Sequence, residues 1–364
     1  MTDKYRIDSH KLMFHPKRVA KWQAGYSQWE SAKEIYPIYL EISPTGICNH
    51  RCLFCAKDYI GYKKREIDKN ILMQRITEMA GYGVKSIMFA GEGEPVLYND
   101  LPEVLDLCSN IGIDTALTTN LTMFNGDNTE NFLKNCSWIK ASINAGTPEN
   151  YAEIHRTSPN DFEKVIKNMH TASSIKKEKG YNCTLGVQIL LLPDNASTVT
   201  SLAALTRDAG FEYLVVKPYS QHLMSNTTIY KDVSYSECSE LKKELDSYNT
   251  DGFKVIFRTH TMKKLTDKEE KYQKCFSVPF FWAYIMSDGN VYACSSFLEN
   301  EKFSLGNINE QSFPEIWQGE RRNKVYDYVK SDLKIDQCRQ NCRMDEINRY
   351  LWELKHPKQH VNFI

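Results

Sequence analysis

The chain has 364 residues, 41% of them hydrophobic and 25% charged, enough for one large domain or two modest ones around a substantial core. Its 46 basic residues balance 46 acidic ones, so composition offers no electrostatic reason to bind nucleic acid or an anionic membrane. No run of about 18 apolar residues occurs and the polar start lacks a continuous apolar signal segment, so a cytoplasmic protein is expected, with a partner that is small and not a polyanion.

Residues 1–36 read as a helical extension. From Pro37 onward short apolar runs alternate with helical patterns, the signature of repeated βα units around a parallel sheet. Strands are predicted at Ile38–Ile42, Val84–Phe89, Asp114–Thr118, Trp138–Ile143, Leu185–Leu191 and Tyr213–Lys217. Between the first two, Leu72, Ile76, Met79 and Ala80 recur at helical spacing after an Asp68 cap and before Gly81. Six such units make a partial (β/α)6 TIM-like barrel over 37–225 rather than a closed eight-stranded one. Each strand leads into a polar or glycine-containing loop, and in parallel α/β architectures these loops share the face where ligands bind.

After Ser225 the rhythm stops, and 226–270 is expected to be a helical linker. A small metal-stapled domain is expected over 271–345, where AYIMSDGNVYAC reads as a β-hairpin, followed by a C-terminal helix or tail at 346–364.

Eleven cysteines is an odd count, and in a reducing compartment metal ligation or catalysis is the expectation rather than a disulfide framework. Cys48, Cys52 and Cys55 crowd into one loop, CNHRCLFC; Cys275, Cys294, Cys338 and Cys342 fall late; Cys108, Cys136, Cys183 and Cys238 stand alone as small buried hydrophobes. A structural zinc site needs four ligands, and His50 as a fourth would strain the early loop, whereas a [4Fe-4S] cluster held by three thiolates leaves one iron open.

The C-x3-C-x2-C spacing at the end of a first strand resembles the radical S-adenosylmethionine (SAM) superfamily. The resemblance implies that the open iron chelates SAM, whose reductive cleavage yields a 5'-deoxyadenosyl radical. It also implies that Gly91, Gly93, Glu94 and Pro95 of GEGEP receive the SAM ammonium and that Phe54 lies against the adenine. Asn120, Ser142, Gln188 and Leu190 stand where the family places ribose, carboxylate and adenine contacts, and Arg156 matches a basic residue aimed at the SAM carboxylate. A flavodoxin- or ferredoxin-type electron donor follows from the same resemblance.

The late C-x13-G-x4-C pattern resembles the start of the SPASM extension, but CRQNC supplies only Cys338 and Cys342 downstream. This is the shortened twitch form, with four thiolates for one auxiliary [4Fe-4S] cluster; a zinc ion held by the same four remains the alternative. The 47 residues before Cys48 are too short for a peptide-clamping domain, and twitch enzymes without one act on aminocyclitols and sugar-like molecules. The expected activity is therefore oxidation of a hydroxyl-bearing carbon. The base is expected among Lys217, Tyr219, Gln221 and His222, with Tyr59, Tyr62 and Tyr284 as further candidates and His222 as the base singled out for test. The alternatives are an epimerase using Cys183 or Cys238 as hydrogen donor, a peptide or protein maturase, and a non-enzymatic electron carrier.

Overall fold

The computed structural model describes residues 4–7, 9–266 and 271–363. Residues 267–270, the end of the expected linker, and the extreme termini lie outside the described residues.

Six parallel strands form where the sequence places them: β1 Tyr39–Ile42, β2 Ser86–Phe89, β3 Asp114–Thr119, β4 Cys136–Ser142, β5 Thr184–Leu191 and β6 Tyr213–Pro218. The stretch 226–270 corrects the expectation of a purely helical linker. It contains β7, Lys254–Phe257, which pairs in parallel with β6, flanked by helices Ser239–Asp246 and Thr259–Thr266. The late hairpin is β8 Trp282–Ile285 and β9 Asn290–Tyr292, extended by β10 Ser304–Asn307. Gly289 makes its turn at φ +83°, and a Cβ there would fall 2.6 Å from Asn307 Oδ1.

β8 does not form a sheet of its own. It runs parallel to β1, with Tyr39 opposite Trp282 and Ile42 opposite Ile285, so all ten strands join one sheet in the order β10-β9-β8-β1-β2-β3-β4-β5-β6-β7. The late cysteine segment is therefore built onto the edge of the barrel.

Strand alternation separates two faces. Leu40, Ile42, Ile87, Phe89, Leu117, Ile139, Leu185, Val187, Ile189, Leu214 and Val216 are buried within the main hydrophobic core. Against this layer packs the helix Lys69–Gly81, capped by Asp68, which accepts from the N–H groups of Asn70 (2.9 Å) and Ile71 (3.1 Å), and burying Leu72, Ile76 and Met79. The opposite face is different. Met88, Ala90 and Ala116 pack with Tyr39 and Trp138, and Tyr213, Val215 and Ile256 with Tyr5 and Ile7, while the next inner positions upward are Glu41, Lys140, Gln188 and Lys217.

The N-terminal extension is helical at Pro16–Gly25 and Trp29–Ala32, and it is fastened by one side chain. Arg322 is fully buried and donates five hydrogen bonds to backbone carbonyls: Ala32 (3.2 Å), Lys33 (3.3 Å), Ile35 (3.2 Å), Pro279 (3.2 Å) and Trp317 (2.6 Å). Its guanidinium stacks 4.1 Å over the Trp317 ring. Replacing it with methionine removes all five of these hydrogen bonds at once, although Ile35 keeps the Trp317 indole N–H (2.8 Å) and Ala32 the Ile35 N–H (3.1 Å). Arg322→Met is expected to cost about 3 kcal/mol or more, read as a lower urea midpoint, with Arg322→Lys recovering only part of the loss because an ammonium cannot make the fork.

Candidate active site

The early cysteine loop follows β1 and lies against the loops after β2, β3 and β4. Gly93 packs so closely under it that a Cβ would fall 2.6 Å from the Ile47 carbonyl and closer still to that of Thr45. Gly91, at φ +136°, leaves equally little room: its Cβ would meet Ser43 Cβ at 2.6 Å and the Tyr284 hydroxyl. The backbone N–H of Glu94 donates to the Ile47 carbonyl at 2.8 Å.

The side chain of Glu94 is a bracket. One oxygen accepts from the Thr119 hydroxyl (2.6 Å) and the Val96 N–H (3.2 Å), the other from the Asn120 N–H (2.7 Å). Burial raises its carboxyl to about 7 against the pull of those donors. Asn120 in turn donates to Asn49 Oδ1 (2.7 Å), inside the cysteine loop, and Asn49 donates to Thr122 (2.8 Å). Glu94 and Asn120, expected as cofactor contacts, thus also hold three loops in register.

Cys52 meets a residue that motif reading missed. Its Sγ lies 3.2 Å from His155 Nδ1, while His155 Nε2 accepts the backbone N–H of Asn144 at 3.1 Å. Accepting at Nε2 places the ring proton on Nδ1, so the histidine donates to the sulfur. His50 is buried beside it, with Nε2 3.8 Å from an Asp161 oxygen and its ring 5.4 Å from that of His155. His50, Cys52 and His155 bring their ligand atoms within 4.8 Å of one another, the only such group among the described residues. With Nε2 of His155 used by Asn144 and three donors in all, this is not a closed zinc shell.

Phe54 and Leu190 come together in one small apolar cluster with Leu53, Ile154, Leu192 and Tyr219. Ser142 is opposite Gln188 in the β4/β5 register, both partly accessible on the inner face. Two asparagines absent from the motif reading clip these strand ends: Asn144 accepts from the Leu190 N–H (2.8 Å), and Asn195 donates to the carbonyls of Asn144 (2.9 Å) and Leu190 (2.8 Å). Arg156 ends the helix Pro148–His155 at φ +49°, with its side chain exposed.

The proposed bases separate. Lys217 lies on the inner face with Nζ 3.3 Å from Gln188 Oε1, and burial plus the nearby Lys140, Arg258, Arg343 and Arg339 hold its amine well below the ordinary lysine range. His222 has both ring nitrogens engaged by backbone, Nδ1 accepting from the Met224 N–H (3.2 Å) and Nε2 3.4 Å from the Ser295 carbonyl, and its ring stacks on Tyr59. Burial, with Lys57 and Arg339 nearby, pulls it to about 4. Tyr219 donates to Gln221 at 3.0 Å, and Tyr62 packs under the Arg51 guanidinium at 4.2 Å. Tyr284 is fully buried on β8, next to Gly91. The spare thiols Cys183 and Cys238 pack into or against the helix-side core rather than the barrel interior.

Cys275, Cys294, Cys338 and Cys342 converge from the hairpin and the segment before the C-terminal helix, each within electrostatic reach of others in the group. No three of these sulfurs fall within 4.8 Å of one another. Four thiolates can ligate one zinc ion or one iron-sulfur cluster. Burial pushes the Cys48, Cys294 and Cys338 thiols up to about 12, a cost that ligation to a metal would remove because a coordinating thiol is deprotonated outright. Asn348 Nδ2 (3.5 Å) and the Met344 N–H (3.4 Å) donate to Cys275 and Cys342.

The two cysteine regions are tied directly. Glu92 accepts the Ser287 N–H at 2.8 Å and the Ser287 hydroxyl, and pairs with Arg65 at 3.3 Å; Arg65 reaches Asp288 at 2.9 Å. Lys57, two residues after Cys55, donates to the Ser295 carbonyl, next to Cys294, at 2.9 Å.

The Radical SAM superfamily profile matches residues 42–204, and that of the SPASM iron-sulfur cluster-binding domain matches residues 275–343. GTP 3',8-cyclase of Chlorobaculum tepidum is 26% identical over 194 residues, 52% of this chain and 56% of its own length, so the match spans about half of that relative. The tungsten-containing aldehyde ferredoxin oxidoreductase cofactor-modifying protein of Pyrococcus furiosus is 22% identical over 313 residues, 78% of this chain and 81% of its own. Among solved structures, Streptococcus suis SuiB bound to precursor peptide SuiA shares the fold with a TM-score of 0.65 at 19% identity, covering 88% of this chain and 71% of that one. No helix among the described residues is long and apolar enough to cross a membrane.

Because Gly93 abuts the loop backbone itself, Gly93→Ala is expected to displace the cysteine loop. The reconstituted variant should bind about half the wild-type iron, lost from the three-cysteine site, with far-ultraviolet circular dichroism unchanged.

Proposed function

We propose that this radical SAM enzyme, which joins a SAM-cleaving barrel to an iron-sulfur SPASM domain, oxidises an alcohol carbon of a polar, sugar-like small molecule held inside the barrel. Its cofactors are SAM, a SAM-binding [4Fe-4S] cluster and an auxiliary iron-sulfur cluster. When bound, the first cluster and SAM supply a 5'-deoxyadenosyl radical that removes a hydrogen atom from substrate.

In this reading Cys48, Cys52 and Cys55 hold the first cluster, with a flavodoxin- or ferredoxin-type protein as its reductant. Cys275, Cys294, Cys338 and Cys342 hold a single auxiliary cluster, the twitch arrangement. The backbone around Gly91, Gly93, Glu94 and Pro95 receives the SAM ammonium. Ser142, Gln188 and Asn120 take polar SAM atoms, Phe54 and Leu190 flank the adenine, and the exposed Arg156 swings onto the carboxylate.

The observation that carries the oxidative reading is Lys217. Its amine lies on the polar inner face, 3.3 Å from Gln188 Oε1, and burial with the neighbouring cations holds it well below the ordinary lysine range. Both ring nitrogens of His222, by contrast, are engaged by backbone, and burial raises the Tyr219 hydroxyl. Lys217 would take the hydroxyl proton; the cluster that Cys275, Cys294, Cys338 and Cys342 would hold would supply an acceptor for the one electron left after hydrogen-atom removal, so that the alcohol carbon would become a ketone. Epimerisation is less well supported because Cys183 and Cys238 lie in the core rather than facing the interior.

Anaerobic reconstitution with SAM and reductant should give about seven to eight irons per chain and release 5'-deoxyadenosine. Four irons with one zinc would overturn the auxiliary-cluster assignment. Cys294→Ala should fall to about four irons while still releasing deoxyadenosine. Screened against polyols and aminocyclitols, wild type should yield a product lighter by two hydrogens, and Lys217→Met should lose that product while deoxyadenosine persists; unchanged product from Lys217→Met would remove it as the base.

A further inference from the structure

The helix Pro148–His155 ends against the early cysteine loop, where the Arg51 N–H donates to the His155 carbonyl (3.1 Å) and the Leu53 N–H to the Ile154 carbonyl (2.9 Å). These two backbone bonds bracket Cys52, and its Sγ lies 3.2 Å from His155 Nδ1. The imidazole is 1% exposed and held by three rings: Tyr151 stacks on it at 4.2 Å, and His50 and Phe54 meet it edge-on at 5.4 and 5.7 Å. A ring packed this way cannot turn from the sulfur without moving its neighbours.

Nε2 of the same ring faces two donors of Asn144, its backbone N–H at 3.1 Å and its side-chain Nδ2 at 3.4 Å. That amide is oriented from its other end, since Asn144 Oδ1 accepts the Leu190 N–H at 2.8 Å. Nε2 is therefore the acceptor, and the single ring proton lies on Nδ1, on the side of Cys52. The same assignment excludes His155 as a metal ligand: binding through Nδ1 would move the proton to Nε2, against the Asn144 N–H. His155 offers the sulfur a hydrogen bond and no lone pair. A donor to a ligating sulfur stabilises the more negative, reduced form of an iron-sulfur site and so raises its reduction potential.

We propose, on the reading that Cys48, Cys52 and Cys55 hold the SAM-binding cluster, that His155 is a positioning residue which sets the reduction potential of that site through the N–H it holds on Cys52. Asn144 fixes the tautomer, and the two backbone bonds around Cys52 fix the distance. The electron comes from the flavodoxin- or ferredoxin-type reductant, and no proton leaves His155 in the step.

The test is a redox titration of the reconstituted holoenzyme followed by electron paramagnetic resonance, with and without SAM, so that the signal SAM perturbs identifies the three-cysteine site. His155→Phe keeps the ring packing and the backbone bonds but removes the N–H. It should lower the midpoint of that signal by about 59 mV or more, a tenfold change in the one-electron reduction constant. His155→Asn, whose amide can stand near the place of Nδ1, should recover part of the shift. The SAM-insensitive signal of the auxiliary site should keep its midpoint in both variants, whereas a general loosening of the fold would move both signals. Pulsed resonance on wild type carrying isotope-labelled histidine needs no variant and should show a weak histidine nitrogen coupling. An unchanged midpoint in His155→Phe, or a strong coupling of the kind an imidazole ligand gives, would overturn the proposal. A wild type with no SAM-perturbed signal would instead overturn the reading that the three early cysteines hold a cluster.

Discussion

The parallel pairing of β8 with β1 is the constraint on which the arrangement depends. A hairpin that folded by itself would leave the late cysteines free to sit anywhere relative to the early ones. Backbone hydrogen bonds along Tyr39–Ile42 instead fix the hairpin to the strand that leads into CNHRCLFC. The Glu92, Ser287 and Arg65 network and the Lys57 contact to Ser295 then lock the two loops across that seam. The Arg322 fork works at the opposite end, binding the N-terminal extension to the same late segment through carbonyl groups that have few other donors.

Around the early cysteines, much of the polar chemistry is spent on holding loops. Glu94 spans from the β2 loop to the end of β3, Asn120 reaches back to Asn49, and Asn144 and Asn195 clip β4 to β5. A loop carrying three cysteines has no regular hydrogen-bond ladder, so its shape must come from such side-chain brackets. His155 extends the same principle to a sulfur: the Asn144 N–H settles the ring tautomer, and the tautomer directs a donor at Cys52. Donors to a cluster sulfur are a recognised means of setting reduction potential.

The inner wall shows why net charge misleads. Equal numbers of acidic and basic residues gave no reason to expect an extended polyanion as partner, and that expectation concerned the outside of the molecule. The alternation of β4 and β6 turns Lys140 and Lys217 inward, and Arg339 and Arg343 lie within electrostatic reach of Lys217. Charge density inside a low-dielectric enclosure, rather than the total, decides which ligand is attracted.

The sequence by itself determined the six βα strands, the Asp68-capped helix, the hairpin turn at Gly289 and the two cysteine groupings, because each is written in local periodicity, a capping residue, a turn signal or a fixed spacing. Tertiary structure decided what spacing cannot express. It turned an expected linker into β7, whose four residues are too short to stand out from a charged helical stretch, and it joined β8 to β1 across more than two hundred residues. It also decided the surroundings within KPYSQH: the letters single out His222, but only the fold shows both of its nitrogens engaged by backbone and the Lys217 amine held low by burial and neighbouring cations. Protonation and reach depend on what surrounds a side chain, and those surroundings come from strands far apart in the chain.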